Sequence, residues 1–148
     1  MSMTSSTNRN GRRERGQAAL EGTFIILIVL GFLIGTLDFA QFLYFHQSLV
    51  ERARAAARYG AVHPTDSTGT VNVALYNTAA PSDGANPLVP NLTSSMVGVN
   101  TYDSGTSNAR VVVTISNYSF RFFSPLIAGA ATAKPIIATA IAEESSAP

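Results

Sequence analysis

The chain lacks cysteine and carries little charge for its length. None of its 148 residues is a cysteine, which excludes disulfide bonds and thiolate-ligated metal sites. Charged residues make up 13% of the chain, and from residue 59 onward only three of them are basic. A nucleic-acid-binding domain would need a basic face, so this class is excluded. A small domain without disulfides depends on its core, a membrane anchor or partner subunits for stability.

Catalytic and metal-ligating patterns are also absent from the sequence. The two histidines, His46 and His63, have no partner at a spacing typical of metal sites. There is no Ser/His/Asp arrangement or phosphate-binding loop, and the adjacent carboxylates Glu143 and Glu144 fall in a polar tail. We therefore predict that the protein is not an enzyme, has no small-molecule substrate and needs no cofactor.

One long apolar run dominates the first third of the chain. Residues 22–37, GTFIILIVLGFLIGTL, contain no charge, and extending the run back to residue 18 adds a single carboxylate, Glu21. Twenty helical residues at about 1.5 Å each cover roughly the 30 Å hydrocarbon core of a bilayer. The run is apolar on every face, and the rest of the chain is too small to bury it. It predicts one membrane span.

The charges that flank this run predict its orientation. The segment before it has a net charge of +3, from four arginines and one glutamate, whereas the flank after it has about +1. By the positive-inside rule the N-terminus is cytoplasmic, and everything after about Asp38 lies outside the cytoplasm. Asp38 itself is expected to be the first solvated residue beyond the span. The four arginines are Arg9, Arg12, Arg13 and Arg15.

The helical pattern continues beyond the apolar run as an amphipathic stem. Gly60, followed by Pro64, supplies a stop signal, so one helix is predicted over about 18–59. Its aromatic face could form an interfacial belt, the packing face of the stem, or both, and packing against a C-terminal sheet is the ordinary outcome. The aromatic residues are Phe39, Phe42, Tyr44 and Phe45. The large apolar side chains of this face recur three or four residues apart, at Phe39, Phe42, Phe45 and Leu49.

The last third of the chain has the composition of β-strands and turns. Residues 97–103 and 108–120 read as two strands of a hairpin, and residues 134–144 as a third strand. The island TVNVALYNTAA, at 70–80, alternates like a strand but also suits a helix, so its periodicity leaves both open.

Together these segments predict an α+β fold in which a long N-terminal helix packs on a small antiparallel sheet. We divide the chain into a basic cytoplasmic leader (1–16), a transmembrane helix (17–38), an amphipathic helical stem (39–60) and a small exported α+β domain (61–148). Within the transmembrane helix, Gly31 and Gly35 form a GxxxG motif, which lets helices approach closely in lipid.

The N-terminal half resembles a known family. A basic leader, then Gly16, then Glu21 five residues later, then an apolar helix continuing into a stem, resembles the type IV pilin pattern. More specifically, RGQAALEGTF joined to the LDFAQF segment resembles the TadE-like family, pilin-like proteins of tight-adherence (Flp-type) pilus systems. VVVTISNYSF and the closing ATAIAEE are similar to the end of that domain.

This resemblance implies processing and assembly. A prepilin peptidase would cut after Gly16 and leave Gln17 as the new N-terminus. The Glu21 carboxylate would then meet the freed amino group of a neighbouring subunit, since opposite charges at the edge of lipid lose hydration unless they pair. Gly22 stands where Flp pilins have a tyrosine, and the exported domain is longer than theirs. Both departures point to a minor pilin or pseudopilin.

The resemblance also implies partners and a location. The protein would sit in the bacterial inner membrane as a single-pass protein with a periplasmic C-terminal domain. Its partners would be membrane lipid, the prepilin peptidase, other pilins or pseudopilins and the pilus platform proteins, in a system for cell adhesion. The alternative function is an unprocessed single-pass protein whose exported domain binds a ligand or an envelope partner.

Overall fold

The predicted α+β fold is confirmed by the computed structural model, which describes residues 8–122, 124 and 130–142. Its largest element is α1, Asn8–Val62, a single helix of 55 residues and about 83 Å. The prediction of one helix over 18–59 is therefore confirmed, but the helix extends further at both ends.

Helix α1 ends between Gly60 and Pro64, the two residues of the predicted stop signal, but Gly60 itself lies within the helix. It is a buried residue of α1, where a Cβ atom would lie 2.9 Å from Val111 Cγ1 and 3.1 Å from Thr70 Oγ1. The glycine lets α1 approach its neighbours at a distance that no side chain would permit. The helix ends two residues later, ahead of Pro64, whose ring disfavours helical backbone in the residue before it.

Residues 70–80, whose periodicity fitted both a helix and a strand, begin within a helix. Helix α2 spans Ser67–Tyr76 and buries Val73, Ala74 and Leu75. It ends at Asn77, which adopts the left-handed conformation (φ 61°) that commonly terminates helices. The Asn77 side-chain oxygen accepts a hydrogen bond from Arg52 Nη1 (2.7 Å), which joins the end of α2 to α1.

The start of α2 is capped by Asp66. Its carboxylate accepts hydrogen bonds from the Gly69 backbone N–H (2.7 Å) and from the Tyr59 hydroxyl (2.9 Å). Chiefly through the Gly69 bond and then the Tyr59 bond, the pKa of Asp66 is lowered from its usual 3.8. A lowered carboxylate pKa stabilises the fold above the unfolded value, and this stability is lost as the pH falls through the folded value.

We expect this cap to give a pH-dependent stability that Asp66→Asn removes. The wild type should lose stability relative to this variant as the pH falls below 3.8, because only the wild type must protonate its cap. Urea midpoints of both proteins at neutral pH and below pH 3.8 measure the difference. An unchanged difference between the two proteins across this range would contradict the prediction.

Three antiparallel strands form the main sheet: β1 (Val97–Tyr102), β2 (Arg110–Ile115) and β5 (Ile136–Ile141), in the order β1-β2-β5. In the central strand Val111, Val113 and Ile115 are buried, and this strand packs against α1. The opposite face of the sheet carries no helix within the described residues, which is common for antiparallel sheets.

The predicted strand over 108–120 is divided in two. Asn117 has φ 59°, a left-handed conformation that interrupts the extended backbone after β2. The chain then enters β3 (Ser119–Arg121), which pairs with β4 (Ala130–Thr132) in a separate two-stranded ladder that was not predicted. The predicted third strand, 134–144, is confirmed over Ile136–Ile141, and its last two residues lie outside the described part.

The second half of α1 supplies one wall of the core. Four of its buried side chains are alanines, so the helix can lie close to α2 and to the sheet. Leu49, at 1% exposure, is the large side chain of this wall. The buried apolar side chains follow a single helical stripe: Leu49, Ala53, Ala56, Ala57 and Ala61.

Candidate functional site

The first half of α1 projects away from the sheet and is largely uncovered by the described part of the chain. Its most apolar window is only 6% buried, whereas the core helix of a soluble protein would be mostly buried. Phe32 is 79% exposed, and the other large apolar side chains between residues 20 and 33 are also exposed. The segment Gly16–Val62 is long and apolar enough to cross a membrane, so single-pass anchoring is supported.

The predicted processing and assembly residues lie at the start of this projecting segment. Gly16, Gln17 and Glu21 are all exposed on α1. Gln17 and Glu21 are four residues apart and so lie on the same side of the helix, one turn from each other. Among the described residues, the bond between Gly16 and Gln17 and the Glu21 carboxylate are thus left exposed, apart from the sheet.

Asp38 is not the first solvated residue of the stem, and this prediction is wrong. It is only 3% exposed. The spacing from Asp38 to Phe42, Phe45 and Leu49 is four, three and four residues, which keeps these residues on one stripe of α1. Phe39 is rotated by about 100° from that stripe and is exposed.

The Asp38 carboxylate contacts a residue 86 positions later in the chain, Ser124. Both of its oxygens accept from the Ser124 backbone N–H, at N···O distances of 3.2 and 3.1 Å. Ser124 is itself buried. A buried carboxylate needs such donors, because burying it without them is strongly unfavourable. The bond ties the segment after β3 to α1 at the point where the projecting half begins.

We expect Asp38→Ala to destabilise the folded domain by about 1–3 kcal/mol, because it leaves the buried Ser124 N–H without this acceptor. Urea unfolding of the full chain in detergent, followed by tyrosine near-UV circular dichroism, measures the change. Asp83→Ala removes an exposed carboxylate and serves as the control. Equal midpoints for the two variants would show that the Asp38 bond contributes nothing.

The GxxxG motif lies at the base of the sheet domain. Gly35 lines a small apolar cavity with Asp38, Phe39, Phe42 and Phe122. At both Gly31 and Gly35 an added Cβ atom would meet nothing within 4 Å. The glycines therefore leave an open, smooth strip of α1 that continues the packing stripe into the projecting half.

Two of the aromatic residues of the stem pack against the C-terminal strands, and two are exposed. Phe42 meets Phe120 edge to face at 4.9 Å between ring centroids, and Phe45 lies against Tyr118 at 6.5 Å. The predicted packing on the C-terminal strands is thus confirmed for these two residues. Phe39 and Tyr44, by contrast, are exposed.

An apolar groove of about 350 Å³ separates α1 from the β3–β4 ladder. It opens beside the aromatic contacts just described, and four of its nine lining residues are phenylalanines. Its lining residues are Phe42, Phe45, His46, Leu49, Phe120, Phe122, Thr132, Ala133 and Lys134.

The histidines take part in ring contacts. His63 stacks on Tyr59 at 4.4 Å, and His46 stacks near Phe42 at 6.3 Å. Within the part of the chain that the structure describes, no three His, Asp or Glu side chains are grouped so that they could hold a metal ion.

Comparison with known proteins adds no relative. No protein-family model matches the chain, and searches of curated proteins and of solved structures find no match either. The site is therefore defined by its own geometry. Sequence reasoning missed the Asp38–Ser124 contact. The four-three-four spacing of residues 38, 42, 45 and 49 places Asp38 on the packing stripe of α1 but carries no information on Ser124.

Proposed function

We propose that the protein is a membrane-anchored minor pilin or pseudopilin that acts in the assembly of tight-adherence (Flp-type) pili. One observation carries the proposal: a single helix supports a small sheet domain on its second half and projects an uncovered apolar first half. Such a helix can be anchored in lipid as a monomer and pack against other helices in a fibre. The work is associative rather than catalytic.

The N-terminal residues have defined roles in this proposal. The leader stays in the cytoplasm, as its arginines favour, and a prepilin peptidase cuts between Gly16 and Gln17. The Glu21 carboxylate then pairs with the new amino terminus of a neighbouring subunit. Pairing is favourable here because each charge, alone at the lipid boundary, would lose hydration without compensation. Exposure of Glu21 on α1 supports this role.

Helix contacts in the membrane follow from Gly31 and Gly35. Their open strip admits the backbone of a second helix, which dispersion forces and close approach stabilise in lipid. Because the strip lies on the same stripe as Asp38, the second helix would run directly beneath the sheet domain. Related pseudopilins, the major pilin and platform proteins are the proposed partners.

The test is the N-terminal mass of the protein extracted from membranes of cells with and without prepilin peptidase. We expect a chain beginning at Gln17 only in cells that contain the peptidase. Glu21→Gln should still be cut but should no longer enter assemblies, because the neutral side chain cannot pair with the amino terminus. A chain beginning at Met1 in both strains would contradict processing.

The apolar groove between α1 and the β3–β4 ladder favours a second candidate function, an unprocessed protein whose exported domain binds a ligand. A volume of about 350 Å³ with mainly apolar walls fits a small apolar molecule. This function predicts that the full-length protein persists and that Glu21→Ala changes nothing. The same mass measurement therefore separates the two functions.

A further inference from the structure

Strand β5 has a free edge within the described part of the chain. It pairs with β2 on one side, and no other described strand pairs with it. The Ala142 N–H donates to the Ala109 carbonyl at 2.8 Å, and hydrogen-bonded pairs alternate along an antiparallel ladder. Ile137, Thr139 and Ile141 must therefore direct their N–H and C=O groups away from β2.

Within its six residues, strand β5 has none of the usual protection against pairing at its edge. Proteins commonly blunt exposed edges with charges, prolines or bulges. The strand, IIATAI, contains no charge and no proline, and its register with β2 is unbroken over six residues. Ile137 and Ile141 are 66% and 75% exposed. The unpaired backbone groups of this edge can therefore pair with another strand.

A groove of about 540 Å³ runs between this edge and α1. Arg54 and Arg58 line it and are exposed, and in the described part of the chain neither has an ion-pair or hydrogen-bond partner. None of the described carboxylates lines the groove; Glu51, one turn earlier on α1, is not part of it. The space beside the free edge is therefore cationic.

We propose that the β5 edge binds an extended acidic segment of another protein by β-strand addition. Backbone hydrogen bonds to Ile137, Thr139 and Ile141 would supply the pairing, and carboxylates would meet the two arginines. Arg54 and Arg58 are about 6 Å apart along the helix axis, close to the roughly 6.6 Å between alternate residues of a strand. The partner segment therefore carries carboxylates two positions apart.

A second copy of this strand does not meet that requirement, because β5 contains no carboxylate. The proposal goes beyond the proposed function and holds whether or not the chain is cut after Gly16. A failure of strand addition would thus leave the processing test unaffected, and the reverse is also true.

The test is peptide binding to the full chain in non-ionic detergent. The probe is a capped peptide of alternating threonine and glutamate, about seven residues long; the comparison peptides are its threonine–lysine counterpart and a version N-methylated on alternate amides. We expect the glutamate peptide alone to bind, with affinity that falls as salt rises. Equal binding of the lysine or N-methylated peptide, or no binding of the glutamate peptide at 1 mM, would overturn the proposal.

Protein variants locate the site. Thr139→Pro removes an edge N–H that β2 does not use, and Arg54→Ala with Arg58→Ala removes the cationic wall. Each should weaken binding at least about tenfold, whereas Arg121→Ala, an exposed arginine of β3, should not. The near-UV signal of the tyrosines, which include the buried Tyr118, verifies folding. Undiminished binding by these variants, or a dimer of the chain that Thr139→Pro disrupts, would contradict the proposal.

Discussion

Replacing Leu27 and Leu30 together by arginine is expected to remove the protein from the membrane fraction. Both side chains are exposed on the projecting half of α1 and close to the middle of the apolar run. An arginine at the centre of a membrane helix disfavours insertion by about 2.5–3.5 kcal/mol, so the pair disfavours it by about 5–7 kcal/mol. Carbonate extraction of membranes, followed by detection of the chain in pellet and supernatant, measures the change.

The matched control places the same charges elsewhere. Val62 and Leu88 are as exposed as the two leucines but lie at the end of α1 and in the loop after α2. Arginine at both of these positions should leave the protein in the pellet. If the Leu27 and Leu30 variant also stayed fully in the pellet, then α1 would not be the membrane anchor.

Truncating Leu49 to alanine is expected to destabilise the folded domain by about 2–5 kcal/mol. Leu49 is the large fully buried residue by which α1 contacts the core, and its loss leaves a cavity between α1 and the sheet. The measurement is urea unfolding of the full chain in detergent micelles. The near-UV signal of the five tyrosines reports unfolding; one of them, Tyr118, is buried in the core, and its hydroxyl donates to the Pro90 carbonyl at 3.0 Å.

Leu43→Ala provides the control for this prediction. It makes the same chemical change on the same helix, but Leu43 is about half exposed and lies outside the core. Its effect should stay within about 0.5 kcal/mol. Equal destabilisation by the two substitutions would mean that α1 does not pack on the sheet through Leu49.

Some elements of the fold could be predicted from the sequence and others could not, and the difference has a physical reason. The apolar run and strands β1 and β5 were predictable because their patterns are continuous over many residues. The strand predicted over 108–120 was not resolved into two, because its composition favours strands throughout and a single left-handed residue, Asn117, divides it. Residues 70–80 satisfied both periodicities, and packing against α1 selects the helix.

In the candidate site, too, some residues could be recognised from the sequence and one, Asp38, could not. Sequence alone identified the apolar run and the three residues before it, Gly16, Gln17 and Glu21. They are recognised from the order of neighbouring residues and from the length of apolar sequence that a bilayer requires. Asp38 was assigned to solvent because a carboxylate after an apolar run usually marks the water boundary. Its actual environment depends on Ser124, which lies 86 residues away in the chain.

The sequence by itself determined that the chain carries one apolar span, a basic leader, an amphipathic stem and a β-rich C-terminal region. Each of these follows from the periodicity and charge of neighbouring residues. Only the tertiary structure decided that Gly60 is a packing residue, that Asp38 is buried, and that the free edge of β5 lies beside Arg54 and Arg58. These features arise between residues distant in sequence, whose proximity depends on how the core packs and not on any local pattern.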